Sequence, residues 1–99
     1  MKIIRKPWGY EKILIRTDNY MIKILHLKPK HRLSKQYHIK KEETLIYPNF
    51  KIKHIKPKQI HRIENKSNKE LNIIEVSTPH LKDVVRISDD YGRVKWQKL

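Results

Sequence analysis

The 99-residue sequence contains no cysteine. Disulfides, zinc–thiolate centres and thiol catalysis are therefore excluded, and a bound metal would have to rely on imidazole, carboxylate or amide oxygen. The absence also fits a reducing compartment. Only two glycines occur, Gly9 and Gly92, one near each end. No apolar run approaches the length of a membrane span. The basic start Met1-Lys2-Ile3-Ile4-Arg5-Lys6 is stopped by Pro7 and Trp8 before it becomes signal-like. The expectation is a cytoplasmic chain with no membrane partner. Helix signals are nearly absent, because no capped segment sustains a 3.6-residue apolar repeat.

Acidic residues are scarce as well. Ten Asp and Glu face 24 Lys and Arg, giving a formal net charge of +14. Such a chain attracts anions of every kind, including nucleic acid and phosphorylated small molecules. The lysines are spread along the chain and not gathered in a block. The simplest reading is a lysine-rich solvated surface. A small basic nucleic-acid-binding β-protein is a further reading. It finds little support, because the aromatics available for stacking (Trp8, Phe50, Trp96 and the tyrosines) are scattered.

What the chain does contain is short runs rich in Ile, Leu, Val and Tyr, often alternating. They predict strands over residues 10–16, 20–27, 33–38, 44–47, 50–55, 60–64, 71–77 and 84–87. Thr17-Asp18-Asn19, Pro48-Asn49 and the polar run 65–69 supply turns. In 20–27, Met21, Lys23, Leu25 and Leu27 share one face, and Ile22, Ile24 and His26 share the other. Both faces are largely apolar, which predicts a strand covered on both sides. The pattern reads as one all-β domain over 1–99, a sandwich or barrel. A fold this small leaves unpaired strand edges, so a homodimer is expected.

One constellation could carry chemistry: Gln36-x-His38-x4-Glu43, followed by His61. Gln36 and His38 are two apart and point the same way from a strand. Glu43 is out of phase and joins them only across a turn, which residues 39–42 offer. Two imidazoles, a carboxylate and an amide oxygen suit a divalent Zn, Mn, Fe, Co or Ni ion with positions left open. In a chain with six histidines, the spacing alone does not separate a ligand set from ordinary surface polarity. His26, His31, His54 and His80 have no comparable setting.

Five stretches, in order from residue 6 to residue 93, resemble a known family. They are Lys6-Pro7-Trp8-Gly9, then Leu27-Lys28-Pro29 with His31-Arg32-Leu33-Ser34, then the Gln36/His38/Glu43 motif. Ile60-His61-Arg62-Ile63-Glu64-Asn65 follows, and last Glu75-Val76-Ser77 with Asp83-Val84-Val85-Arg86 and Asp89-Asp90-Tyr91-Gly92-Arg93. Together they resemble the C-terminal cupin domain of type II mannose-6-phosphate isomerases, the domain fused to mannose-1-phosphate guanylyltransferase in bifunctional enzymes.

The resemblance implies a double-stranded β-helix, or jelly-roll barrel. It implies a divalent metal on Gln36, His38, Glu43 and His61, and an aldose–ketose isomerisation of a sugar phosphate. Lys41 and Arg86 would be catalytic, and Arg32 and Lys40 would contact substrate. Arg86 has an alternative as a partner of Asp83, Asp89 or Asp90, and Trp8 reads as a packing residue. The ligand would be a sugar phosphate or a nucleotide-sugar.

Three departures accompany the likeness. Ile39, Lys40 and Lys41 stand where further His and an Arg are usual, and Lys does not reproduce the Arg fork. Ile55-Lys56-Pro57-Lys58-Gln59-Ile60 replaces the usual Ile-Pro-x-Gly before the second motif's His. The stretch between Glu43 and His61 is shorter by about a hairpin, so the barrel is truncated between its motifs. A shallower cavity follows, and with it the alternative of a non-catalytic mini-cupin that binds a sugar or a protein.

Overall fold

The structure, a computed structural model, describes residues 1–94. Its elements are eight strands: β1 (Lys2–Lys6), β2 (Gly9–Arg16), β3 (Met21–Leu27), β4 (Lys35–Tyr37), β5 (Glu43–Ile46), β6 (Ile52–Ile55), β7 (Leu71–Ser77) and β8 (Val85–Ser88). Six form an antiparallel sheet in the order β1-β2-β3-β7-β5-β6, and β4 pairs with β8 in a second sheet. Among the described residues no helix is long and apolar enough to cross a membrane. Trp96 lies outside the described residues.

β1 has no counterpart among the sequence-predicted strands. Its Lys2 to Lys6 pair with Ile13 to Gly9 through the tight Pro7-Trp8 turn. That turn drops Trp8 into the core. Gly9 follows at φ +152°, and a Cβ there would lie 1.8 Å from the His26 carbonyl oxygen. Only glycine lets β2 approach β3 so closely at this point.

β3 and β7 pair over seven residues and form the spine of the large sheet. On β3 the alternation runs inward at Met21, Lys23, Leu25 and Leu27, all buried. The other face differs from the sequence expectation. Ile22, Ile24 and His26 are only half-buried, and Ile52 and Ile74 on the same outer face are exposed. No further layer covers that face among the described residues, so the strand is protected on one side only.

The connection between β5 and β6 is direct, as the short spacing predicts. Tyr47 to Lys51 make the hairpin turn, with the Phe50 N–H donating to the Tyr47 carbonyl at 2.8 Å and Phe50 in the left-handed region at φ 63°. Phe50 thus belongs to the turn, and Lys51 and Lys53 are exposed. Residues 60–64 do not form the expected strand. They make two isolated bridges, Gln36↔His61 to β4 and Arg32↔Glu64 to the segment before it. The Leu33 carbonyl accepts from the Arg62 guanidinium at 2.9 Å, so a side chain takes up this backbone acceptor.

The two sheets close over Trp8, Leu25, Leu27, Leu33, Leu45, Ile55, Ile63 and Ile73. Each of these side chains contributes about 1.5–3 kcal/mol by leaving water. Asn65 ties the closing loop. Its amide donates to the carbonyls of Leu27, Lys28 and Lys69, and its oxygen accepts from Ser67. The arrangement is the all-β double-stranded β-helix that the sequence motifs imply.

Candidate metal centre

At one end of the barrel three side chains from separate segments converge. His38 follows β4, Glu43 opens β5, and His61 sits at the bridge to Gln36. His61 Nε2 is 3.0 Å from Glu43 Oε1, and His38 Nε2 is 3.3 Å from the same oxygen. The two rings lie 5.1 Å apart, tilted by 46°. One ligand atom from each residue falls within 4.8 Å of the others.

The remaining ring nitrogens are already committed. His38 Nδ1 meets the Asp83 carbonyl, and His61 Nδ1 meets the Gln59 carbonyl at 3.1 Å. A carbonyl can only accept, so Nδ1 carries the proton in both rings. In the neutral imidazole, Nε2 is then a bare acceptor. Two acceptor nitrogens facing a carboxylate oxygen require positive charge among them, either an added proton or a metal ion.

His61 Nε2 is also buried and lacks a hydrogen-bond partner. Ligands held roughly 2.1 Å from an ion stand about 3 Å apart at neighbouring octahedral corners. The chemistry and spacing of His38, Glu43 and His61 fit a divalent ion, and the carbonyls behind each ring are the usual orienting partners.

Gln36 lies beside this trio. Its backbone pairs with His61 in both directions at 2.9 Å, and its side-chain oxygen accepts from the buried Ser34 hydroxyl at 2.6 Å. Gln36 and His38 both line a narrow cleft of about 60 Å³ at the barrel mouth.

Behind Glu43 runs a chain of buried charges that the sequence reading did not anticipate. Lys41 Nζ stands 3.3 Å from Glu43 and 2.9 Å from Glu75. Glu75 is 3.4 Å from Lys23, which is 3.1 Å from Glu11. The charges alternate strictly, as they must where water is excluded. Burial pushes the Glu43 carboxyl up, but His38, His61 and Lys41 outweigh it and hold it well below the ordinary carboxylate range. Burial would lower Lys41, yet Glu75 and Glu43 keep it above its usual value. Burial pushes Glu75 up, with the Glu43 charge adding and the two lysines opposing. A signal for this chain did exist: Lys23 and Glu75 occupy the inward phase of strands that also turn Met21, Leu25, Leu27 and Ile73 inward.

Asp83 was likewise missed as a builder of the site. Its carboxylate accepts the N–H groups of Ile39, Lys40 and Lys41 at 2.7–3.0 Å. Desolvation would raise this carboxyl, but the three donors hold it below its ordinary value. One residue thus pins the loop that places Lys41 and Glu43, and its carbonyl orients His38.

The other expected site residues are dispersed. Arg86 lines the cleft, and among the described residues it pairs with none of Asp83, Asp89 or Asp90. Arg32 is bound to Asp90 at 2.7 and 3.0 Å in a separate groove with His31 and Glu64. Lys40 is exposed and does not line the cleft. His26, His31, His54 and His80 each have a local partner, respectively Asn72, the Pro29 carbonyl, Glu42 with Thr44, and Thr78.

Comparison with known proteins agrees with this architecture. The family model described as "Mannose-6-phosphate isomerase C-terminal" matches residues 1–52. That span includes Gln36, His38, Lys41 and Glu43. A conserved protein with a double-stranded β-helix domain from Klebsiella pneumoniae superposes with a TM-score of 0.61 at 15% identity, over 89% of this chain and 86% of that one. A sugar phosphate isomerase of the cupin superfamily from Silicibacter pomeroyi overlaps more partially, with a TM-score of 0.38 at 12% identity over 61% of this chain and 50% of that one. No curated protein matches the sequence. With more than half its length matched and the double-stranded β-helix in place, the chain belongs to the mannose-6-phosphate isomerase C-terminal family of cupin domains.

Proposed function

We propose that this cupin binds a divalent metal through His38, Glu43 and His61, with Gln36 as the fourth protein ligand, and acts on a phosphorylated sugar as an aldose–ketose isomerase of the mannose-6-phosphate type. The observation that carries the reading is the convergence of two Nε2 acceptors on one carboxylate oxygen, with both Nδ1 atoms held by carbonyls. A bound ion would supply Lewis acidity to the substrate oxygens. Within the reading, Lys41 and Arg86 would be the catalytic cations, and both line the cleft with His38. Arg32 and Lys40 would contact substrate only outside that cleft.

Metal analysis of the purified protein, together with an assay for fructose-6-phosphate formed from mannose-6-phosphate under added divalent ions, tests the proposal. Metal that disappears in His38→Ala and His61→Ala, with turnover in the wild type, supports it. Absence of metal under every loading sinks it.

A second reading, a mini-cupin that binds a sugar or protein without turnover, is favoured by one observation. Among the described residues the Glu11–Lys23–Glu75–Lys41 ion pairs occupy the barrel interior, beside a cleft of about 60 Å³. Metal binding without turnover would select it.

The proposal includes a homodimer. The edge strand β6 and the exposed Ile52 and Ile74 support it, since unpaired edges and apolar faces seek partners. Sedimentation that gives a monomer at assay concentration removes this part.

A further inference from the structure

The cleft is strongly cationic, and its cations are not equivalent. Lys6, Lys23, Lys41, Arg86 and Arg93 line it together with Glu11 and Asp83. Lys23 and Lys41 are consumed by the buried ion pairs, and Arg93 is clasped by Asp89 at 2.8 and 2.9 Å. The Asp83 carboxylate is taken up by the 39–41 backbone. Among the described residues Lys6 and Arg86 have no ion-pair partner. Arg86 Nε is buried without any hydrogen-bond partner. A buried guanidinium donor left unmade is costly. Two cations brought together without a counter-ion add repulsion. Desolvation, then the neighbouring Arg86, Arg93 and Lys23 against the attraction of Glu11, leaves Lys6 below its ordinary value. Desolvation and Arg93 do the same to Arg86.

We infer that Lys6 and Arg86, flanked by Arg93, form an anion subsite that takes the phosphoryl group of a small phosphorylated ligand. Two unpaired positive charges match a phosphomonoester, which carries about −1.5 to −2 at neutral pH. The guanidinium fork of Arg86 suits paired phosphate oxygens. Size decides the ligand class further. A water needs roughly 10–15 Å³ of such space, so a cleft of about 60 Å³ takes about five water-sized groups. That is the scale of one phosphoryl group. Lys6 comes from β1, Arg86 from β8, and Arg93 from the turn beyond it, so only the folded barrel assembles them. The identity of the ligand's sugar end rests on the proposed function; the subsite itself does not require the metal.

The test uses metal-free, full-length protein and titrates inorganic phosphate, mannose-6-phosphate and mannose by calorimetry and by the Arg86 Nε–H resonance. Phosphate and mannose-6-phosphate should bind and shift that resonance, and mannose should not. Lys6→Gln and Arg86→Gln should each weaken phosphate binding at least about tenfold, the loss of one charge-assisted contact. The charge-matched Lys51→Gln and Lys53→Gln, both exposed on the β5–β6 hairpin, should change it less than about twofold, as expected for screened surface charges. Unaltered melting curves of the Lys6 and Arg86 variants identify a binding effect. If one variant does not fold, the other and the resonance shift decide. Equal weakening by the Lys51 and Lys53 controls would show diffuse attraction to a basic surface and overturn the inference. So would phosphate binding that survives Arg86→Gln. Metal uptake, measured in parallel, separates the two proposals: Arg86-dependent phosphate binding in a protein that takes no metal removes the metal reading and leaves the subsite, while metal uptake without phosphate binding does the reverse.

Discussion

Lys41 stands between two buried carboxylates, 2.9 Å from Glu75 and 3.3 Å from Glu43. One ammonium therefore offsets the charge of two carboxylates that lie against each other inside the barrel. It links the candidate metal centre to Lys23 and Glu11 on the other side of the interior.

Lys41→Met should be strongly destabilising, by about 3–5 kcal/mol, because removing one partner leaves uncompensated buried charge. Glu75→Gln removes the opposite member and leaves Lys41 on Glu43 and Lys23 on Glu11, so its cost should be smaller. Denaturant unfolding of the three proteins checks the order. A Lys41→Met protein as stable as wild type would mean that the interior admits water.

Gly9→Ala should cost more than an ordinary glycine substitution. The new Cβ would overlap the His26 carbonyl, and the backbone there is at φ +152°. Both effects strain β2 against β3, so a loss above about 2 kcal/mol is expected, well beyond the common ~1 kcal/mol effect of a point change. Gly92→Ala provides the contrast. That residue also has positive φ, but no atom lies within 4 Å of the added carbon, so only the backbone term remains. Melting temperatures of the two variants should separate.

The Asp89–Arg93 clasp sets a pH dependence. The Arg93 guanidinium and backbone N–H hold the Asp89 carboxyl down at about 2, below its ordinary 3.8. A depressed folded-state value means that the contribution is complete above about 4, where the unfolded carboxylate is also ionised, and fades as pH falls toward 2. The stability gap between wild type and Asp89→Asn should therefore be constant from pH 7 to about 4.5 and shrink below it. Parallel melts across that range measure the gap. A gap that widens on acidification would have the wrong sign for this clasp.

Metal should stabilise the fold in proportion to its affinity. At a free ion concentration about 100 times the dissociation constant, the gain is about 2.7 kcal/mol. For a domain of this size that corresponds to a melting shift of roughly 10 °C or more. Chelation should reverse it, and His61→Ala should abolish it. An equal shift in His61→Ala would place any ion elsewhere on the surface.

Much of the architecture was legible in the sequence because strands announce themselves locally. The alternation of Met21, Leu25 and Leu27, the Pro48-Asn49 turn and the polar run at 65–69 gave β3, the β5–β6 hairpin and the loop that Asn65 ties. β1 was not legible, since Lys2, Arg5 and Lys6 hide a strand that gains its order from pairing with β2. Residues 60–64 looked like a strand, but the two bridges they make, Gln36↔His61 and Arg32↔Glu64, are out of register with each other, so no continuous ladder forms.

By itself, then, the sequence determined an all-β chain without thiol chemistry, the family to which its motifs point, and the spacing of Gln36, His38 and Glu43. Composition and period-2 patterning are properties of neighbouring residues, and a chain displays them before it folds. Tertiary structure alone decided that His61 reaches Glu43, that Asp83 pins the loop between the ligands, and that Lys23, Glu75 and Lys41 are interior ion pairs and not solvated surface. Those relationships join residues from different strands. Whether a charge is paired, buried or left open to an anion depends on which strands the barrel brings together.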